Sequence, residues 1–291
     1  MTAGQFEGEG SGPTVVRMLL GAQLRRLREA KGVTREKAGY EIRSSESKIS
    51  RMELGRVSFK VRDVADLLTM YGVDDDLRAT LMELTREANE TGWWQVYNDV
   101  APTWFQFYLG LEAGARLIRT YEVQFVPGLL QSPDYARAVV RLGYEDAPKE
   151  EIERRVELRL HRQELLTRAD PPQVWAIIDE AVLRRPMGGP DVMRAQLEHL
   201  IELSELRNVH IQVLPFSLGG HAAAGGAFSI LRFADDDVPD IVYVEQLTGA
   251  AYLEKREDVD RYAIAMERLV IEGEQPTQSI ETLRRIMRER S

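Results

Sequence analysis

The chain has 291 residues, of which 38 are basic, 47 acidic and 44% hydrophobic, with a formal charge of −9 at pH 7. That length and apolar content predict one to three folded domains and exclude a disordered chain. The absence of cysteine excludes disulfides, thiolate metal sites, iron–sulfur clusters and cysteine nucleophiles, and no run reaches the ~18 apolar residues of a membrane-spanning helix.

The first segment, MTAGQFEGEGSGPT, is acidic and Gly-rich, without the basic and apolar regions of a secretory signal. Residues 1–15 are expected to form a disordered tail, and the protein to be soluble and cytoplasmic. The charge is unevenly spread. Arg17 to Arg62 holds thirteen Lys or Arg against five Glu, a net of +8, whereas Thr91 onward holds 23 basic and 32 acidic residues, a net of −9. A compact basic module on an acidic body predicts that a polyanion meets the first part only. The alternative is a solvated helix face.

Leu20, Leu24 and Leu27, with arginines between them, predict a helix over 18–30 that ends at Lys31-Gly32. Thr34 is a candidate N-cap for a second, short helix, although Lys37 spoils the capping box. Arg43-Ser44 breaks the pattern. Ser45 opens a third helix with Ile49 and Met52 facing inward, and Gly55 ends it. Helices follow at 63–71 and 75–90. Two short helices joined by a tight turn, within a bundle of about five, are a helix-turn-helix arrangement. Ala38 and Gly39 supply the small side chains at the crossing, above a core of Ile42, Ile49 and Met52. The first domain is expected over 16–90.

A recognition helix enters the major groove by its N-terminal half, so residues facing away from the core reach the bases. Ser45, Glu46, Ser47, Ser50 and Arg51 are outward or flanking. Arg51 suits a guanine edge, a contact worth roughly 1–3 kcal/mol of discrimination. Glu46 either accepts from a cytosine or repels non-specific DNA. Lys48 is expected to hold a phosphate. Arg56 and Lys60 follow the helix and can clamp the backbone, and Arg43 is a further candidate. Glu53 is expected in a structural salt bridge, and Arg25, Arg26 and Arg28 on a solvated face. Thr34-Arg35-Glu36, followed by Ser47-Lys48-Ile49-Ser50-Arg51-Met52-Glu53-Leu54-Gly55, resembles the Xre/Cro-type helix-turn-helix. The resemblance makes Arg35 a backbone contact. The family's turn often holds Gly where this chain has Arg43, so an extended turn or a strained residue is expected.

Beyond Thr91 a helix is read over 113–121, then a turn at Pro127-Gly128. Ser132 is read as the cap of a helix with Pro133 in its first turn, running to about Leu142. A charged helix covers 149–168 and ends at Asp170-Pro171-Pro172. Strands are read at 174–181, 209–214, 228–233 and 241–247, with helices at 191–206, 258–271 and 277–290. The fold class is therefore a mostly α helix-turn-helix bundle followed by an α+β domain, residues 91–291, with a small mixed sheet.

Little in that domain points to chemistry. The Gly-rich segment 217–226 lacks the Lys-Ser/Thr ending of a P-loop and opens no helix. His161, His199, His210 and His221 have no metal-ligand spacing. No catalytic residue, metal or cofactor is expected, and no enzymatic activity. The candidates for a ligand or partner pocket are Trp93, Trp94, Trp104 and Tyr108 in an aromatic-rich stretch, His221 in the Gly-rich loop, and Glu180. Glu180 either lines a cavity or pairs with Arg184 or Arg185.

Trp93-Trp94, Tyr121-Glu122, Val126-Pro127-Gly128-Leu129-Leu130-Gln131, Tyr135-Ala136-Arg137-Ala138 and the stretches 177–189 and 242–254 resemble actinomycete regulators of the WhiJ-like, antitoxin-like group. These carry a long C-terminal domain of unknown function. The resemblance implies a small companion protein encoded nearby. The reading is then a sequence-specific transcriptional regulator, binding an inverted repeat in double-stranded DNA as a homodimer. Its C-terminal domain would dimerise and sense a companion protein or a small-molecule ligand, with no membrane partner. The alternative is an antitoxin-like interaction protein that neutralises a small partner and autoregulates its operon.

Overall fold

A computed structural model describes residues 12–289. The chain forms two compact units. The first holds the residues up to Gln95 with Gly110–Gly114 and Phe233–Pro239, and the second holds Val96–Leu109, Ala115–Arg232 and the residues from Asp240 on.

The first unit is a helical bundle of α1 (Pro13–Ala30), α2 (Arg35–Glu41), α3 (Glu46–Glu53), α4 (Val61–Tyr71) and α5 (Asp75–Ala88). Pro13 starts α1 at a position where its missing N–H costs nothing. The expected tail is therefore helical over 13–15, with Val15 buried; residues 1–11 lie outside the described residues. Val15, Val16, Leu20 and Leu24 form the buried stripe of α1. Asp74 caps α5, accepting from the Leu77 N–H at 2.9 Å. Close packing of α1 on the end of α3 needs a glycine. A Cβ at Gly21 would overlap the Met52 carbonyl oxygen and lie 2.8 Å from that of Glu53.

After a 3-10 turn at Trp93–Tyr97 come α6 (Thr103–Gly114), β1 (Leu117–Glu122), α7 (Pro133–Gly143), α8 (Lys149–Gln163), β2 (Gln173–Asp179), α9 (Glu180–Arg184), α10 (Pro190–Leu203), β3 (Val209–Leu214), β4 (Phe228–Arg232), β5 (Ile241–Gln246), β6 (Gly249–Leu253), α11 (Arg256–Glu272) and α12 (Pro276–Glu289). The six strands form one mixed sheet in the order β3-β2-β1-β4-β5-β6. β1, β2 and β3 are parallel, joined by helical crossovers, and the remaining pairs are antiparallel. One sheet face, with Tyr121, Ile177, Phe228, Ile230 and Val242, is buried with Met266 and Leu269 of α11.

The strand β1 stands where a helix over 113–121 was expected. It is a central strand, flanked by β2 and β4, with Ile118, Thr120 and Tyr121 all buried. Burial on both faces removes the alternation that marks a half-exposed strand. The helix lies upstream, as α6, whose TWFQFYLGLEAG sequence has no polar face to give a helical period. β6 and α9 also escaped the reading. The strand read over 174–181 stops at Asp179, whose side chain accepts from the Ala181 N–H at 2.8 Å and so starts α9. Ser132 occupies the N-cap position of α7 without a side-chain cap bond. Its N–H donates to Gln196 Oε1 at 2.7 Å instead. Among the described residues no helix is long and apolar enough to cross a membrane.

Candidate nucleic-acid interface

Two local caps define the helix pair. The Thr34 hydroxyl accepts from the Lys37 N–H and the Ser45 hydroxyl from the Lys48 N–H, each at 3.2 Å. Between them Arg43 adopts φ 53°, the left-handed region, and the Ser44 N–H donates to the Gly39 carbonyl at 2.8 Å. A Cβ at Gly39 would lie 2.9 Å from the Ser44 carbonyl oxygen, so the turn folds tightly onto α2 only because that residue is glycine. The strained residue expected in the turn is thus Arg43. A non-glycine residue there costs roughly 1–2 kcal/mol, against roughly 0.5–1 kcal/mol of extra unfolded-state entropy for glycine. Arg43→Gly is expected to raise stability by about 0.5–1 kcal/mol in urea unfolding. A net loss would mean that contacts of the arginine outweigh the backbone strain.

Ile49 and Met52, each 1% exposed, anchor α3 in the core. Ser45, Glu46, Ser47 and Arg51 are exposed and Ser50 is half-buried, so the outward residues share the solvent side of the helix. Arg51 donates from Nε to the Ser47 carbonyl at 3.4 Å. Arg43, Arg56 and Lys60 are also exposed.

Three basic residues are engaged inside the fold. Glu53 is buried, and its carboxylate takes Arg28 Nε on Oε1, with Arg28 Nη2 at 3.2 Å and Arg35 Nε at 2.8 Å on Oε2. Arg28 also donates to the Val33 carbonyl at 2.8 Å. The hydrogen bond to Glu53 holds the Arg28 guanidinium above its ordinary range. Glu53 therefore makes the expected structural bridge, and it ties α1, the start of α2 and the end of α3 together. Arg28 is only 7% exposed, which corrects its expected place on a solvated face. Arg25 and Arg26 do lie exposed, Arg25 with Glu29 at 2.9 Å and Arg26 with Asp237 at 3.4 Å. Lys48, expected to hold a phosphate, has its ammonium 2.5 Å from Oδ2 of the buried Asp63. Asp63 was missed because an acidic residue in the first turn of a helix reads as a surface group.

The pocket candidates divide between the two units. Trp93 and Trp94 belong to the first unit and meet edge to face, centroids 6.0 Å apart. The others belong to the second unit. There the Trp104 carbonyl accepts from the Tyr252 hydroxyl at 2.5 Å, and the buried Tyr108 ring lies 4.2 Å from that of Tyr243. Glu180 is buried and accepts from Arg184 Nε at 2.7 Å and from the Phe216 N–H at 2.9 Å. Burial opposes ionisation of its carboxyl, but those two donors outweigh burial and hold it below the usual carboxylate range. His221 Nε2 lies 3.1 Å from the Tyr121 hydroxyl, and its Nδ1 accepts from the Ala223 N–H at 3.3 Å.

The model of a family described as a helix-turn-helix domain matches residues 19–81. That of a domain of unknown function, DUF5753, matches residues 105–285. No curated protein and no solved structure matches the chain.

Proposed function

The chain belongs to the DUF5753 family and carries a helix-turn-helix domain ahead of it, and from that premise we propose that it is a sequence-specific transcriptional regulator of the Xre type. The observation that carries this reading is the exposed side of α3. Serines, Glu46 and Arg51 point outward there while Ile49 and Met52 hold the helix from below. In this reading Arg51, Glu46, Ser45, Ser47 and Ser50 meet base edges or the flanking backbone. Arg43, Arg56 and Lys60 meet phosphates, and Arg35 and Lys48 position the helix through Glu53 and Asp63. One such module spans few base pairs. We therefore propose a homodimer that reads an inverted repeat whose half-sites lie roughly 34 Å apart. Its second domain senses a small companion protein or a ligand, as the WhiJ-like resemblance implies, and the protein works in the cytoplasm. A ligand can act only by binding the DNA-competent and incompetent states unequally.

Arg51→Ala tests the recognition helix. Selection of binding sites from random double-stranded DNA, followed by titration, is expected to show a loss of about 1–3 kcal/mol at the cognate site and relaxed preference at one base pair. Unchanged affinity and preference would remove α3 from the groove.

A further inference from the structure

The helix α11 carries two apolar stripes, and the fold uses one of them. Met266 and Leu269 are buried in the core against the sheet, with Val259, Tyr262, Ala263 and Val270 packed beside them. These residues recur at helical spacing and form the inner side. Ile264 and Ile271 are 54% and 77% exposed. Seven residues apart, they stand within about 20° of each other around the helix. Met266, two residues from Ile264, points nearly the other way. The isoleucines therefore make a second stripe, which the core does not explain.

Charge frames that stripe unevenly. Asp260 and Glu267 sit four residues before and three after Ile264, and helical geometry puts both on one edge. Arg261 and Arg268 sit three before and four after, on the other edge. All four are exposed. Asp260 has Arg256 at 3.7 Å, both side chains largely in solvent. Arg261, Glu267 and Arg268 form no ion pair with any described residue.

This pattern identifies its own complement. Two α11 helices packed in parallel, about a two-fold axis running along them, set each acidic edge against the second copy's basic edge. Ile264 then meets Ile264 and Ile271 meets Ile271, with a carboxylate–guanidinium pair on each side. Antiparallel packing about a perpendicular two-fold axis sets each edge against its like, so acid opposes acid and arginine opposes arginine, which is unfavourable. A polyanion or an anionic membrane would be repelled by the acidic edge. Glu257, one heptad before Ile264, ends the apolar stripe, so the contact covers about the last three turns. The 17-residue helix is about 25 Å long. A contact of that length is smaller than a standard stable interface, so self-association in the micromolar range is expected.

We propose that α11 is a dimerisation surface of this protein, pairing in parallel with α11 of a second copy through Ile264 and Ile271. The proposal rests on the homodimeric reading above and names the surface that carries it. The chain has no cysteine, so single cysteines report proximity without background. In the full chain under a mild oxidant, Ile264→Cys and Ile271→Cys are each expected to give a disulfide-linked dimer. Leu142→Cys, exposed on α7, is expected to give none. An antiparallel pair can join one of the two isoleucine positions to itself, but not both. In sedimentation equilibrium, wild-type protein is expected to show monomer and dimer in exchange. Arg261→Glu with Arg268→Glu is expected to weaken that dimer at least tenfold. Adding a chain with Asp260→Arg and Glu267→Arg should restore dimers as mixed pairs, which also shows that both variants fold. A wild-type dimer indifferent to charge reversal, or crosslinking at fewer than both positions, would overturn this surface and leave the homodimer standing. A wild-type chain that stays monomeric at every concentration would overturn both.

Discussion

Glu53→Ala is expected to destabilise the helical bundle by about 3–5 kcal/mol, the range for breaking a buried ion pair from one side. The Glu53 side chain is 3% exposed and that of Arg28 8%. Without the carboxylate, the Arg28 guanidinium stays enclosed with the Val33 carbonyl at 2.8 Å and Glu29 at 3.2 Å. Arg35 loses its 2.8 Å partner at the start of α2. Since both arginines grip the end of α3, that helix should lose its fixed placement before the second unit unfolds. Urea unfolding followed by circular dichroism reads the loss. Arg28→Met with Glu53→Leu, which removes both charges and keeps volume, should recover most of it. A loss below about 1 kcal/mol for Glu53→Ala would show that the carboxylate does not hold the bundle, against the range expected for a buried pair.

Lys48→Ala should lower stability by about 1–3 kcal/mol, because it leaves the buried Asp63 carboxylate without its cation. The salt dependence of DNA binding should stay the same. The ammonium, 2.5 Å from Asp63 Oδ2, is already neutralised inside the fold and releases no counterion from a phosphate. Lys60→Ala should do the reverse. Its side chain is exposed at the start of α4, so its loss should spare stability and flatten the slope of log affinity against log salt by roughly 0.9. Titrations of labelled duplex at four or five salt concentrations separate the two. A Lys48→Ala slope flattened by about one unit, with unchanged melting temperature, would place Lys48 on a phosphate.

The chain's local chemistry was legible where it depends on near neighbours. Thr34 and Ser45 cap helices through N–H groups three residues on, so the helix pair and its turn could be read in order along the chain. The charge contrast between Arg17–Arg62 and the acidic remainder is additive, and needs no fold to be counted. Ile49 and Met52 declared the inner side of α3 by spacing alone. Arg28 could not be placed this way. Its neighbours Arg25 and Arg26 are exposed, and only the arrival of Glu53, 25 residues later, makes its burial tolerable. Lys48 likewise looks like a phosphate ligand until Asp63 is brought beside it. The largest misreading, a helix in place of β1, has the same root: a strand buried on both faces carries no period of its own, and its partners Gln173–Ile178 and Phe228–Arg232 lie some fifty to a hundred residues away. Sequence by itself determined the helix-turn-helix, the basic module and an α+β second domain, because these follow from capping, periodicity and composition. Tertiary structure alone decided which charges are paired, as at Glu53 and Asp63. Electrostatic partnership depends on distance and desolvation, and neither is set until the sheet and its helices have closed.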